Sequence, residues 1–263
     1  MKVGQDSFWP FLQYIISNFT NNMIVNYQEN GWQIISQRAH GLLSGQICFH
    51  WKQDLRPERW LETIIATTEH DDAFNEFLND NMLLNENGGP VNFKMRKFDE
   101  DKCEELLQLA MSKSRYIALL TSQHLQFLYE KETDKKIAAY CAKLKKYDRK
   151  WLKEAQLDEK EIKTAYAILE WCDAFSLLLC QNLVPPEGRK IEISAGPDQQ
   201  NYELWSPADN ELSVTPWPFD VDSFQINFES KTMTQLQFNN VEEFRQKLKD
   251  APLKFHTYMI AKH

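Results

Sequence analysis

Val184-Pro-Pro-Glu-Gly188 divides this chain into two unlike halves. Neither proline can donate to a helix or a sheet ladder, and the glycine leaves the backbone free to turn. Before this break, apolar residues recur every three to four positions, the period of a helix with one buried face. After it come short β-like runs at 190–194, 202–205, 211–215, 223–228 and 255–260, with one short helical stretch at 241–248. Ser223-Phe-Gln-Ile-Asn-Phe228 alternates polar and apolar residues, as a half-buried strand does. Helices first and strands afterwards predict an α+β fold, with a mostly antiparallel sheet, rather than a parallel α/β fold.

Working back from the break, helices are expected at 159–182, 134–150, 115–131 and 99–113, preceded by an aperiodic loop at 79–98. Pro57 suits the first turn of a helix over 58–72, and Ser36 can cap one running to about Trp51. Before these, Met23-Ile-Val-Asn-Tyr27 and Trp32-Gln-Ile-Ile-Ser36 flank an Asn-Gly pair, a strong hairpin signal. Two strands alone are marginal in water, so the hairpin is expected to join the C-terminal sheet. The reading is one α+β domain over 23–263: hairpin 23–36, helical core 36–183, and a β-rich part at 184–263 packed on it. Residues 1–22 read as a leader or extension outside the fold, since they match neither a targeting signal nor the periods that follow.

Composition narrows the function. With 43% hydrophobic residues and only 8 Gly and 10 Pro among 263, the chain can bury a real core. A net charge of −8 argues against a domain built to grip nucleic acid. The basic run 143–153 then reads as the wet face of a helix. Five cysteines without a CxxC pair argue against a disulfide framework or thiolate zinc site, and fit a reducing, cytoplasmic setting. No apolar run reaches the ~18 residues of a membrane span. Nucleotide-cradling glycine loops and nucleophile elbows are missing. Nothing in the sequence sets an oligomeric state.

The ionisable residues carry the chemistry. Ser36, His40, Leu43, Ile47 and Trp51 share one face of the first helix. Trp60, Ile64, Thr67 and Asp71 share one on the second, with His70 beside Asp71. His124 lies on the Ile117–Leu120–Phe127 stripe, and Asp173 on a stripe with Tyr166, Leu169, Ser176 and Cys180. A single buried histidine is ordinarily a satisfied core residue. A lone aspartate on an apolar face is not, because an unpaired buried carboxylate costs several kcal/mol, and no Lys or Arg occurs between Lys163 and Arg189. Three inward imidazoles and two inward carboxylates, with no inward Arg, point to a divalent metal ion; this donor set suits Mn, Fe, Co, Ni or Zn. Gly41 and Gly45, beside His40, imply close helix packing around the site. His50, His256 and His263 lack carboxylates at ligand-like spacing and are expected on the surface or in loops.

A histidine, an adjacent His-Asp pair and a distant aspartate, here His40, His70-Asp71 and Asp173, resemble the HD-domain superfamily of metal-dependent phosphohydrolases. More closely, Met23-Ile-Val, Gln37-Arg-Ala-His40, Glu69-His-Asp-Asp72, Ser122-Gln-His124 and Trp171-Cys-Asp173 resemble an uncharacterised bacterial domain-of-unknown-function family. The superfamily resemblance implies an HD-like helical bundle in which His40, His70, Asp71 and Asp173 hold one ion. His124 would then bind a second ion or touch substrate phosphate. Asp71 would also orient the attacking water, with Asp72 a catalytic candidate and Glu69 a neighbour. Lys52, Arg56, Lys94 and Arg96 are candidate phosphate partners. The implied activity is hydrolysis of a phosphate ester or nucleotide-like small molecule. Two alternatives stand: a non-catalytic ligand- or metal-binding domain with a structural His/Asp cluster, and a His/carboxylate metal oxygenase.

Overall fold

A computed structural model describes residues 23–73, 75–78, 82–95 and 97–263; the expectations for 1–22 and for Arg96 lie outside them. The chain is α+β. A hairpin, β1 (Ile24–Gln28) and β2 (Gly31–Ile35), opens the fold. Six helices follow: α1 (Gln37–Phe49), α2 (Trp60–Thr68), α3 (Glu100–Lys113), α4 (Arg115–Tyr129), α5 (Lys135–Ala155) and α6 (Glu159–Cys180). Then come β3 (Ile191–Ala195), β4 (Asn201–Ala208), β5 (Glu211–Thr215), β6 (Ser223–Met233), α7 (Val241–Asp250) and β7 (Leu253–Ala261).

The strands form one seven-stranded sheet in the order β1-β2-β6-β7-β5-β4-β3, antiparallel except where β5 meets β7. The hairpin is stitched in through Trp32, Gln33 and Ile34 opposite Met233, Thr232 and Lys231. Because β2 covers only the end of β6, the edge of β6 beyond it needs another partner. The Gln46 amide supplies one, donating to the Asn227 carbonyl at 2.8 Å and accepting from the Asn227 N–H at 3.0 Å.

One apolar core lies between α1, α6 and the sheet, built around Trp51, Trp171, Phe175, Ile193 and Ile226. A second fills the space among α2, α3, α4 and α5. The two meet at α6, which is buried along most of its last three turns. All five cysteines are buried and free.

The expected second helix ends early, at Thr68 rather than residue 72. The cause is local. Thr67 and Thr68 turn their hydroxyls back onto the carbonyls of Thr63 and Ile64, each at 2.8 Å, and the His70 ring claims the Thr67 carbonyl. The His70-Asp71 pair therefore sits in the turn after the helix, and helical periodicity does not explain its placement. The expected close packing at Gly41 and Gly45 is present. A Cβ on Gly41 would lie 2.3 Å from the Thr68 carbonyl oxygen, and one on Gly45 would lie 2.1 Å from Thr68 Oγ1. These glycines let the end of α2 press against α1, which carries His40.

Candidate metal centre

Four structural pieces bring the ionisable residues together. Ser36 starts α1 by accepting from the Ala39 N–H at 3.2 Å, which sets the helix phase that buries His40 fully. His40 Nε2 lies 2.9 Å from Asp173 Oδ1 on α6, and its Nδ1 lies 2.6 Å from Ser176 Oγ. Ser176 in turn meets Ser44 Oγ at 2.8 Å. A histidine, an aspartate and two serines thus lock α1 to α6 through buried polar contacts.

His70 is held differently. Its Nδ1 lies 2.7 Å from the Thr67 carbonyl. A carbonyl can only accept, so Nδ1 carries the proton and the ring orientation is fixed. Nε2 then points inward between two carboxylates, 3.3 Å from Asp173 Oδ1 and 3.4 Å from Asp71 Oδ2. Gln37, the first residue of α1, donates its amide to Asp71 Oδ2 at 3.3 Å. From α4, His124 packs its ring perpendicular to that of His70, with centroids 5.0 Å apart, and its Nδ1 lies 3.5 Å from Tyr166 Oη.

The cluster comprises two overlapping groups, His40–His70–Asp71 and His70–His124–Asp173, whose donor atoms lie within 4.8 Å of one another. Two ligands each about 2.1 Å from one ion stand about 3.0 Å apart at a right angle and about 3.4 Å apart at the tetrahedral angle. The separations of 2.9, 3.3 and 3.4 Å around Asp173 and His70 fall in that range. The residues present fit a metal ion, with His70 Nε2 as the donor that both carboxylates flank.

The electrostatics agree. Burial works against a charged His70, but Asp71 and Asp173 outweigh it and raise the imidazole to about 10. Burial likewise works against ionised Asp173, and His70 with His40 overcomes it, holding the carboxyl well below the usual range. Burial, then the neighbouring His70, pushes His124 down to about 4, leaving it neutral. Positive charge is wanted between the two carboxylates, and a protonated His70 or a divalent ion can supply it.

The structure thus gathers His40, His70, Asp71, His124 and Asp173 and leaves the other candidates outside. Asp72 faces Arg38 at 3.5 Å on the rim, and Glu69 pairs with Lys113 at 2.9 Å. Arg56 is engaged by Asp220 at 2.9 Å, and the Lys52 backbone bonds the Pro218 carbonyl. Lys94 lines a separate cavity. Among the remaining histidines, His263 is exposed and paired with Glu211. His50 lies in the turn after α1, half-buried and stacked on Phe224. One departs from the surface-or-loop expectation: His256 is a strand residue of β7, stacked on Phe228 and 2.8 Å from Ser230 Oγ.

Sequence reasoning missed the supporting residue Ser44. Gln37, Thr67, Tyr166 and Ser176 were visible in the motifs and stripes but had no assigned task. It also missed Glu170, fully buried one turn before Asp173. Glu170 Oε2 accepts from Ser194 at 2.9 Å while Oε1 has no hydrogen-bond partner. A register shift in β3, between Glu192 and Ala195, accompanies the turning of Ser194 toward α6.

This is an α+β protein with a buried His/carboxylate cluster whose geometry can hold a metal ion. The chain belongs to the family described as a protein of unknown function, DUF3891, whose model matches residues 23–235. The match spans the whole cluster and stops before β7, the strand that lies between β6 and β5. No curated protein and no solved structure matches the chain, and these comparisons give the HD resemblance no support. Among the described residues, no helix is long and apolar enough to cross a membrane.

Proposed function

We propose that the protein is a metal-dependent hydrolase acting on a phosphate ester or nucleotide-like small molecule. One observation carries the reading. His70 Nε2 is fully buried, its ring is fixed through Nδ1, and two carboxylates converge on it at 3.3 and 3.4 Å. A fixed imidazole nitrogen between two carboxylates at ligand-like spacings is the donor arrangement a divalent ion takes. His40, His70, Asp71 and Asp173 would hold the ion, and His124, neutral in its surroundings, completes the second group with His70 and Asp173. A divalent ion held here would supply hydroxide from bound water near neutral pH and neutralise charge on a phosphoryl oxygen. Asp71, in the turn and held by Gln37, would orient the water, while the Thr67 carbonyl and the Ser44–Ser176 pair keep the two imidazoles in register.

A second reading is a non-catalytic cluster, and one contact favours it. His40, Asp173 and Ser176 already satisfy one another without a ligand. Elemental analysis of protein purified without chelator separates the two, comparing wild type with Asp71→Asn and Asp72→Asn, each checked for folding. The hydrolase reading expects bound metal in wild type and in Asp72→Asn, a steep fall in Asp71→Asn, and phosphoesterase activity that follows the metal. Metal-free wild type, or Asp71→Asn with its full complement, overturns it.

A further inference from the structure

A cavity of about 530 Å³ opens between Lys94, Met95, Lys97 and Phe98 and the corner where α4 passes into α5. That is the size of a small-molecule site. Its floor is aromatic: Phe98 packs edge-on against Tyr129 at 5.0 Å, and Ile137 and Met95 add apolar surface. Its walls carry Lys94, Lys97 and Lys136 against Glu132 and Asp134. The acidic side is weaker than it looks, because the Asp134 carboxylate caps α5, accepting from the N–H groups of Lys136 and Ile137 at 2.7 and 3.3 Å. Lys136 lies 3.3 Å from Glu100. Lys94 has no carboxylate within ion-pair distance among the described residues, and partial burial holds its ammonium below its ordinary pKa. An under-compensated cation in a concave site floored by aromatic rings is a receptor for an anion attached to a flat ring.

We infer that this cavity binds a phosphate monoester carrying an aromatic or heteroaromatic ring system, its phosphate on Lys94 and Lys136 and its ring on Phe98. The site shares no residue with the His/Asp cluster, so the inference stands whether or not that cluster holds metal. The test is calorimetric titration of the full chain in chelator with adenosine monophosphate, phenyl phosphate, adenosine and inorganic phosphate. At least one of the two esters should bind, and adenosine and inorganic phosphate should each bind about tenfold or more weakly than that ester. Lys94→Ala/Lys136→Ala, two side chains outside the apolar cores, should weaken ester binding about tenfold or more. Asp71→Asn should leave it unchanged. Four results would overturn the inference: no binding at millimolar ester, inorganic phosphate binding as well as the esters, a double lysine variant that binds normally, or binding that disappears in Asp71→Asn.

Discussion

Glu170 and Asp173 sit one turn apart on the same helix, both 7% exposed, and they end in opposite states. Asp173 faces α1 and the His70 turn, where two imidazoles hold it ionised. Glu170 faces the sheet, where its one hydrogen-bond donor is the Ser194 hydroxyl and burial pushes its carboxyl up to about 8. Depth is equal; the donors differ. Burial alone makes a carboxyl neutral, whereas burial opposite histidines makes a charged site that can hold a cation. The helix-facing side of α6 thus carries a charge, and the sheet-facing side carries a proton.

The largest test of that contrast is Asp173→Asn. The amide keeps the volume but removes the charge between His40 and His70. Removing one partner of a buried ionic cluster costs about 3–5 kcal/mol, and we expect a loss of that size in denaturant unfolding. Bound metal should be lost with it. A variant as stable as wild type would show that Asp173 is no more charged than Glu170.

Next comes Glu170→Gln. The folded-state pKa of about 8 lies above the ordinary value of 4.5, so Glu170 contributes its full stability below about pH 4.5. That contribution is lost as pH rises through about 8. Wild type should therefore weaken from pH 5 to pH 8, and Glu170→Gln, which cannot ionise, should be the more stable protein at pH 8, by about 4 kcal/mol. Unfolding curves at the two pH values decide it. Equal pH trends in the two proteins would mean that Glu170 is ionised after all.

The contrast was half legible in the sequence. Asp173 stood out because helical period put it on an apolar stripe with no cation nearby, and the same period found His40 and His124. His70 and Asp71 were found for a reason that did not survive, since their helix stops at Thr68 and the turn places them. Glu170 was invisible, because a glutamate in a long helix ordinarily reaches water and nothing local says otherwise. Its partner was hidden too: strict alternation along β3 turns Ser194 away from the helices, and the register shift that goes with its position has no sequence signature here. Periodicity reveals what regular elements bury; residues placed by a turn or a register shift need the tertiary structure.

A third test moves the helical side without touching a charge. Gly45→Ala puts a methyl 2.1 Å from Thr68 Oγ1, the hydroxyl that bonds the Ile64 carbonyl. Thr68 must rotate or α2 must retreat, and overpacking of this kind costs about 1–3 kcal/mol. Because the His70 turn follows Thr68 directly, metal retention should fall as well. Adding Thr68→Ala, which removes the opposing hydroxyl, should restore most of both. A single variant with wild-type melting and metal content would show that α1 and α2 are not pressed together at the cluster.

The smallest effect belongs to Ser194→Ala, and it probes the sheet-facing carboxyl directly. The hydroxyl donates to Glu170 Oε2 at 2.9 Å and is the one side-chain donor that favours the ionised form. Losing it costs about 1 kcal/mol for a neutral buried hydrogen bond. It also leaves burial unopposed by any donor, so Glu170 should hold its proton to still higher pH. Stability should fall slightly at pH 5, and the decline that begins near the ordinary carboxyl range should run on to higher pH than in wild type. In a Glu170→Gln background the pH-dependent part should disappear and only the small uniform loss should remain. If Ser194→Ala instead moved metal content, the two faces of α6 would be coupled through the helix. The different states of Glu170 and Asp173 would then belong to one connected site rather than to two separate environments.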